Sequence, residues 1–365
     1  MAAKQKKSKA QELFIHNHCP QCGSKMRYDG GAFKKLKCTK CSYSRALNKD
    51  TDQVVNQPLH QGVKLNHFVK GMGLPMKAYF CLNCTAEIAM HKDSPLTTCP
   101  FCTSDELEPS DRDKDVFKPY SMIPFTVSQD HALKELRKWL GFTVLGVNFF
   151  PEDIFGLLEP PKMRGVYLPV FLFDGLTRST WFGEAGLSFM DEKKGKKISR
   201  MMWDPTTGYY EHFFENLDVE ISEGIDDLTM EDIQPYNYRY LVPYDTRFLQ
   251  DNWTVELYQI PEIEGFKAAN MLMDNEIMTA ALDRIIADDV RKLKITSEKL
   301  SIAFKHVLIP IWVGSYVYQG EVFQFMINGQ SGKITGEKPL SNFKLYVAMG
   351  IAIALITVLV LLFSW

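Results

Sequence analysis

Val166-Tyr-Leu-Pro-Val-Phe-Leu-Phe173 runs eight residues without a charge, all aliphatic or aromatic apart from Pro169. It is too short for a buried helix and rich in branched and aromatic residues, which marks a strand covered on both faces. Val307-Leu-Ile-Pro-Ile-Trp-Val313 has the same character. Setting Val166 against Val307 pairs Leu168 with Ile309, Pro169 with Pro310 and Phe171 with Trp312. Each stretch follows a helical pattern and precedes a Tyr/Phe-rich run with glycine turns. A weak internal duplication results, helix, loop, strand and hairpin twice over. A proline inside a strand cannot donate to a ladder, so a bulge or a sheet edge is expected at Pro169 and Pro310.

The helices are read from periodicity. Ala132, Leu133, Leu136, Trp139 and Leu140 recur at helical spacing, with Ser128 or Asp130 to cap and Gly141 to stop. Between Met271 and Ile286, Ile277, Ala281 and Ile285 form one apolar stripe, with Met278, Leu282 and Ile286 beside it. Residues 119–340 are therefore expected to be an α+β domain, mainly antiparallel, with helices packed on the sheet.

All eight cysteines fall in C-x-x-C pairs: Cys19/Cys22, Cys38/Cys41, Cys81/Cys84 and Cys99/Cys102. Fifteen residues separate the pairs of the first set and 14 those of the second, the spacing of zinc ribbons or one residue short of it. A two-residue gap turns two thiolates onto one ion, and a hairpin brings up the second pair to close a tetrahedron. Two structural Zn2+ ions are the expectation; a rubredoxin-like iron site, a disulfide and a redox dithiol are the alternatives. Pairing within each ribbon or across the two is left open by spacing. Ser42, Thr85 and Thr103 stand where a glycine usually follows such a knuckle, and His16 and His18 read as surface residues rather than ligands.

These motifs divide the chain into a disordered basic tail (1–13), zinc ribbon 1 (14–45), a linker (46–78), zinc ribbon 2 (79–107), a charged linker (108–118) and the α+β domain (119–340). Composition is that of an ordinary globular protein, 365 residues with 45% hydrophobic and 24% charged, which excludes collagen-like and disordered classes. The formal charge of -2 conceals polarity: residues 1–50 hold 12 Lys/Arg and three acidic side chains, and between Arg200 and Arg239 lie ten acids and no Lys or Arg. That acidic stretch reads as a solvated surface, without regular ligand spacing.

From Leu345 to Trp365 the chain carries 21 residues without a charge. A helix of that length spans about 31 Å, a bilayer's hydrocarbon thickness. Tyr346 and Trp365 sit near its ends, and Lys338 and Lys344 precede it. The sequence thus predicts a single C-terminal transmembrane helix over 345–365, with the bulk in the cytoplasm. No apolar signal-peptide core opens the chain.

Catalytic motifs are sought and not found. Asn328-Gly-Gln-Ser-Gly-Lys333 lacks both the first glycine and the Ser/Thr of a phosphate loop, and reads as a hairpin turning at Asn328-Gly329 with a second reversal at Gly332. No H-E-x-x-H, dinucleotide fingerprint or kinase loop occurs, and no small-molecule substrate is expected.

The order of parts resembles a family of bacterial membrane-anchored double zinc-ribbon proteins, labelled TFIIB-type zinc-ribbon or primosomal helicase-like. The resemblance rests on Tyr79-Phe-Cys-Leu-Asn-Cys84, Cys99-Pro-Phe-Cys102, Ile123-Pro-Phe125, Gly165-Val-Tyr-Leu-Pro169, Phe304-Lys-His-Val-Leu-Ile-Pro-Ile-Trp312 and Asn328-Gly-Gln-Ser-Gly-Lys333. It implies a role at the cytoplasmic membrane, beside flotillin-like SPFH partners in an envelope-stress assembly. The helicase label is rejected on the residues, since neither nucleotide motif is present. The combined reading is a non-enzymatic, tail-anchored scaffold that recruits protein partners. The alternative is a tethered nucleic-acid binder using Lys34, Lys35, Lys37 and Lys40, with Phe33 and Tyr43, as a basic aromatic face or lipid contact.

Overall fold

The computed structural model describes residues 19–24, 26–28, 35–46, 57–58, 71–73, 75–94, 96–111, 118–141, 162–193, 196–220, 227–249, 254–257 and 262–339, and positions 344, 350 and 357. Strands β1 (Met26–Tyr28), β2 (Lys35–Cys38) and β3 (Ser44–Ala46) form a small antiparallel sheet. A larger sheet collects β4 (Gln57–Pro58), β5 (Met76–Cys81), β6 (Glu87–His91), β7 (Leu107–Ser110), β8 (Ser121–Met122), β9 (Lys162–Lys193) and β10 (Lys196–Glu220). It continues with β11 (Val242–Pro243), β12 (Thr254–Glu256), β13 (Asp289–Tyr318), β14 (Glu321–Asn328) and β15 (Ile334–Gly336). The helices are α1 (Gln129–Leu140), α2 (Asp227–Ile233) and α3 (Glu262–Arg284).

The two proline-containing stretches are neighbours. β9 and β13 pair antiparallel, and Leu168 lies directly opposite Ile309, its equivalent in the duplicated pattern. Pro169 faces Leu308 and Pro310 faces Tyr167, so the pair is related by a local two-fold axis through Leu168 and Ile309. The flanks obey the same symmetry. β12 runs parallel to β9 at Val166 and Tyr167, and β8 runs parallel to β13 at the equivalent Val307 and Leu308. β10 joins β9 from Val170 onward, and β14 joins β13 from the equivalent Ile311. Each proline therefore falls in the gap between one flanking strand and the next, where no ladder partner requires its missing N–H. No bulge occurs there: the β9–β13 register is continuous from 162 to 174 and shifts only beyond.

Alternation distributes the apolar run to two faces. Val166, Leu168, Val170 and Leu172 join Val307, Ile309, Ile311 and Val313 in one core, closed by Met230 and Ile233 around α2. On the other face Tyr167 packs with Leu308 and Met122, Trp312 packs with Leu136 and Leu140 of α1, and Phe171, Phe173 and Phe304 pack with Ala269, Met273 and Ile277 of α3. Ser128 caps α1, its hydroxyl accepting from His131 N, and the N–H of Gly141 closes the far end on Arg137 O.

The fold class differs from the α+β expectation. Strands dominate, because β9, β10 and β13 are 32, 25 and 30 residues long. The apolar run fills only the first third of β9; beyond Phe173 the strand continues as Thr177, Ser179 and Trp181, buried under α3, with exposed residues between. These three strands extend beyond the packed sheet as an arm in the order β10–β9–β13, with α3 along one face.

The membrane assignment is corrected as well. The stretch 345–365 lies outside the described residues except for Gly350 and Thr357, and among the described residues no helix is long and apolar enough to cross a membrane. α3, at 23 residues, carries five acids and two bases and lies on the sheet. Within the described residues, this stands against the single-pass, cytoplasmic-membrane placement read from the sequence. Hydropathy by itself records only that a segment avoids water.

The Asn328–Lys333 segment is a hairpin between β14 and β15, with Asn328 N donating to Lys333 O and Gly332 N to Asn328 O. The left-handed residue is Gly332 at φ +83°, not Gly329. Gly329 is needed for space: a Cβ there would lie 2.7 Å from the Phe125 ring and 2.8 Å from Pro310 Cβ.

Candidate metal centres

Each ribbon gathers its own four cysteines. Cys19, Cys22, Cys38 and Cys41 form one quartet and Cys81, Cys84, Cys99 and Cys102 the other, with all sulfurs of a quartet within 4.8 Å of one another. The question of pairing across ribbons is thereby closed. In the first, Cys19 Sγ lies 3.5 Å from Cys41 Sγ and Cys22 Sγ 3.4 Å from Cys38 Sγ. In the second, Cys81 and Cys102 are 3.5 Å apart and Cys84 and Cys99 3.6 Å. These are thiols, too far apart for disulfides. A tetrahedral zinc thiolate with bonds of ~2.3 Å requires sulfurs about 3.8 Å apart, so both quartets fit one ion with little adjustment.

Local backbone explains the convergence. Three knuckles share one turn: Gly23 N donates to Cys19 O at 2.9 Å, Thr85 N to Cys81 O at 3.0 Å and Thr103 N to Cys99 O at 3.0 Å. The first cysteine of each also donates across it, to Ser24 O, Ala86 O and Ser104 O. The turn requires a left-handed residue, and Gly23, Thr85 and Thr103 have φ of 66°, 59° and 64°. The two threonines thus hold the strained geometry that the absent glycines would adopt without cost. Ser42 is not left-handed; at its knuckle the N–H groups of Lys40 and Cys41 both approach Cys38 Sγ at 3.3 Å.

Electrostatics differ within a quartet. The side chain and backbone of Ser24 pull the Cys22 thiol down to about 6. Cys41, in spite of the Tyr43 backbone N–H, is pushed up to about 12 by burial and the neighbouring thiols. In the second ribbon the Cys99 contact, with burial, raises Cys84. A set in which one thiol ionises readily and its neighbours resist is what crowded sulfurs do until a cation neutralises them.

The two centres sit differently. Cys81 and Cys99 are in the main core with Val166, Leu168 and Met230, and the ribbon strand β6 pairs with β12 of the large sheet. The first ribbon touches that body through Leu36 of β2, which packs with Met72 and Tyr167. Of its basic residues, Lys37 and Lys40 are exposed; Lys34 and Phe33 lie outside the described residues, and Lys35 is placed in β2.

The acidic stretch serves the fold: Glu211 pairs with Arg178 at 2.8 Å, Asp218 accepts from Tyr238 Oη at 3.1 Å and Asp232 from Thr335 Oγ1 at 2.9 Å. Among the described residues no third group of His, Cys, Asp or Glu converges as the cysteines do. A groove of about 540 Å³ lies beside Tyr236, Tyr238, Arg239 and Gln330. It could not be read in advance, because it arises where the NGQSGK hairpin clamps the 233–240 segment, Asn328 Nδ2 donating to Ile233 O and Gln330 Oε1 accepting from Asn237 N.

No family model and no solved structure matches the chain. It is similar to the uncharacterized protein YdjG of Bacillus subtilis (strain 168), 27% identical over 235 residues, which cover 62% of this chain and 65% of that protein.

Proposed function

We propose that the chain is a non-enzymatic adaptor, a double zinc-ribbon protein of the kind its motifs resemble, whose ribbons and sheet domain bind protein partners. The observation that carries this reading is the closed donor set of both centres. Four thiolates fill a tetrahedral ion, leaving no coordination position for a substrate or an activated water. Metal in such sites supplies folding energy and rigidity, and a rigid ribbon is a surface for recognition. An SPFH protein is the partner class that the resemblance suggests. Nucleic acid is the second reading, favoured by the exposure of Lys37 and Lys40 on the first ribbon.

The test is purification of the tagged full chain from its own host, with metal analysis and nuclease treatment of the same sample. About two zinc ions per chain and a stoichiometric, nuclease-resistant protein partner are expected. Nuclease-sensitive material lost from a Cys38→Ser, Cys41→Ser variant would instead move the function to the basic ribbon. A chain without any partner, or an open site exchanging substrate, would overturn the adaptor.

A further inference from the structure

The Asn328–Lys333 hairpin takes no part in either metal centre, yet it is bonded more tightly than a surface turn requires. The buried Asn328 side chain accepts from Gln330 N at 2.8 Å and Ser331 N at 2.9 Å while its amide donates to Ile233 O. Gln330 grips one residue of the facing segment at both backbone groups. Its Oε1 accepts from Asn237 N at 2.7 Å and its Nε2 donates to Asn237 O at 3.0 Å. Lys333 Nζ adds a bond to Gln234 O at 2.7 Å. The walls of the 540 Å³ groove are thereby fixed in advance of any ligand, and its size is that of a binding cleft.

What its side chains offer is lopsided. The amide oxygens are engaged within the protein: Gln330 Oε1 by Asn237 N, Asn237 Oδ1 by Arg239 N and Asn216 Oδ1 by Lys305 Nζ. The tyrosine hydroxyls of the lining are drawn inward too, Tyr236 donating to Pro310 O and Tyr238 to Asp218 Oδ2, which leaves their rings as apolar surface. Without a partner among the described residues are donors: the amide nitrogens of Asn216 and Asn237, the Arg239 guanidinium and the Tyr240 hydroxyl. Only one side-chain acceptor stands equally unengaged in the lining, the exposed Glu215 carboxylate.

A ligand that fits must therefore accept hydrogen bonds and donate few. A polyproline segment does so: each proline has a carbonyl and no N–H, the left-handed helix leaves those carbonyls outward, and its rings pack on tyrosine faces. A sugar would bring a donor with every hydroxyl, and the side chains would meet them at Glu215 alone. A phosphate would suit Arg239 but would face Glu215, and the two charges cancel across the lining. Glu215 instead suits a lysine or arginine flanking the prolines. We infer that the groove between the NGQSGK hairpin and residues 235–240 binds a proline-rich segment of a partner protein, in the polyproline conformation, with a flanking basic residue held by Glu215. This rests on the adaptor reading and names the chemistry by which a partner docks.

The experiment titrates the purified full chain against a fluorescein-labelled peptide of eight prolines tipped with arginine, read by anisotropy. Saturable binding is expected, and an arginine-tipped glycine-serine peptide of equal length should show none. Tyr240→Ala and Arg239→Ala should each weaken binding about tenfold and leave the thermal transition unchanged, since both side chains are exposed. Glu215→Arg should weaken the arginine-tipped peptide and strengthen a glutamate-tipped one, a reversal that damage to the fold would not produce. Absence of saturable binding, binding untouched by these substitutions, or tighter binding of a phosphoserine peptide or an oligonucleotide would overturn the proposal. A stoichiometric partner that still co-purifies with the Tyr240→Ala, Arg239→Ala chain would overturn the groove and leave the adaptor standing. Peptide binding by a chain that purifies without any partner would do the reverse.

Discussion

Lys305 Nζ lies 3.1 Å from Asp174 Oδ2 inside the sheet, both side chains only 8% exposed. Lys305 also donates to Asn216 Oδ1 at 2.7 Å, and Asn216 N donates to Asp174 Oδ1 at 2.7 Å. Asn216 is left-handed, φ 53°, at the irregularity where β10 shifts register against β9. The triad ties three long strands together at the point where the arm leaves the packed sheet. Removing one member strands a buried charge, so Lys305→Ala should cost about 3–5 kcal/mol in urea unfolding. Lys305→Met with Asp174→Leu should recover most of that loss; a double variant as unstable as the single one would contradict this account.

The two metal centres should be unequal in their hold on the fold. Cys81→Ser strikes a candidate ligand in the main core and should lower the melting temperature of the whole chain by about 6–20 °C, using roughly 3–5 kcal/mol and ~2–4 °C per kcal/mol. Cys22→Ser, at an exposed ligand of the first ribbon, should remove one zinc ion and leave the principal transition within a few degrees. Metal content with calorimetry on both variants decides.

His306 introduces an acid limit. Burial pushes its imidazole down to about 3, with the Phe171 ring edge-on at 5.7 Å. The unfolded chain binds this proton near pH 6.5, the folded chain only near 3. Its neutral state thus contributes stability in full above pH 6.5, and that contribution falls at up to ~1.4 kcal/mol per pH unit as pH drops toward 3. Between pH 7 and 5.5 the wild type should lose about 1 kcal/mol more than His306→Leu. Equal losses would show that the imidazole titrates alike in the folded and unfolded chains, contradicting this account. Contributions from the metal centres are common to both proteins and cancel.

Thr103 carries strain that glycine would relieve. Thr103→Gly should keep the knuckle, remove a β-branched residue from left-handed space and raise stability or metal affinity by about 1 kcal/mol, roughly fivefold in a competition with a chelator. The same substitution at Ser42, which is not left-handed, should do no better than neutral.

The two cysteine quartets, each able to hold a metal ion, were legible in the sequence, because a two-residue gap is a local geometry and local geometry needs no tertiary information. The paired prolines were legible too, and they marked the two strands that meet on the axis. Strand length was not. Beyond Phe173 the pattern turns polar, and only α3, arriving from 90 residues downstream, makes Thr177 and Ser179 interior. The turn at Asn328-Gly329 misled for a similar reason: the glycine is demanded by Phe125 and Pro310, which are distant in sequence. The apolar tail, 345–365, lies outside the described residues except for Gly350 and Thr357.

The local symmetry about Leu168 and Ile309 bears on where such a chain could have come from. Each half supplies the strand against which the other half is completed, so half of the chain alone would expose an unpaired, wholly apolar strand. Two identical half-length polypeptides would satisfy one another as the halves do here. The present sheet is thus laid out as a fused homodimer, and the differences now seen between its halves, a 12-residue α1 whose exposed residues are all polar and a 23-residue α3 that also exposes Met271, Met278 and Leu282, are ones that two identical subunits could not have held.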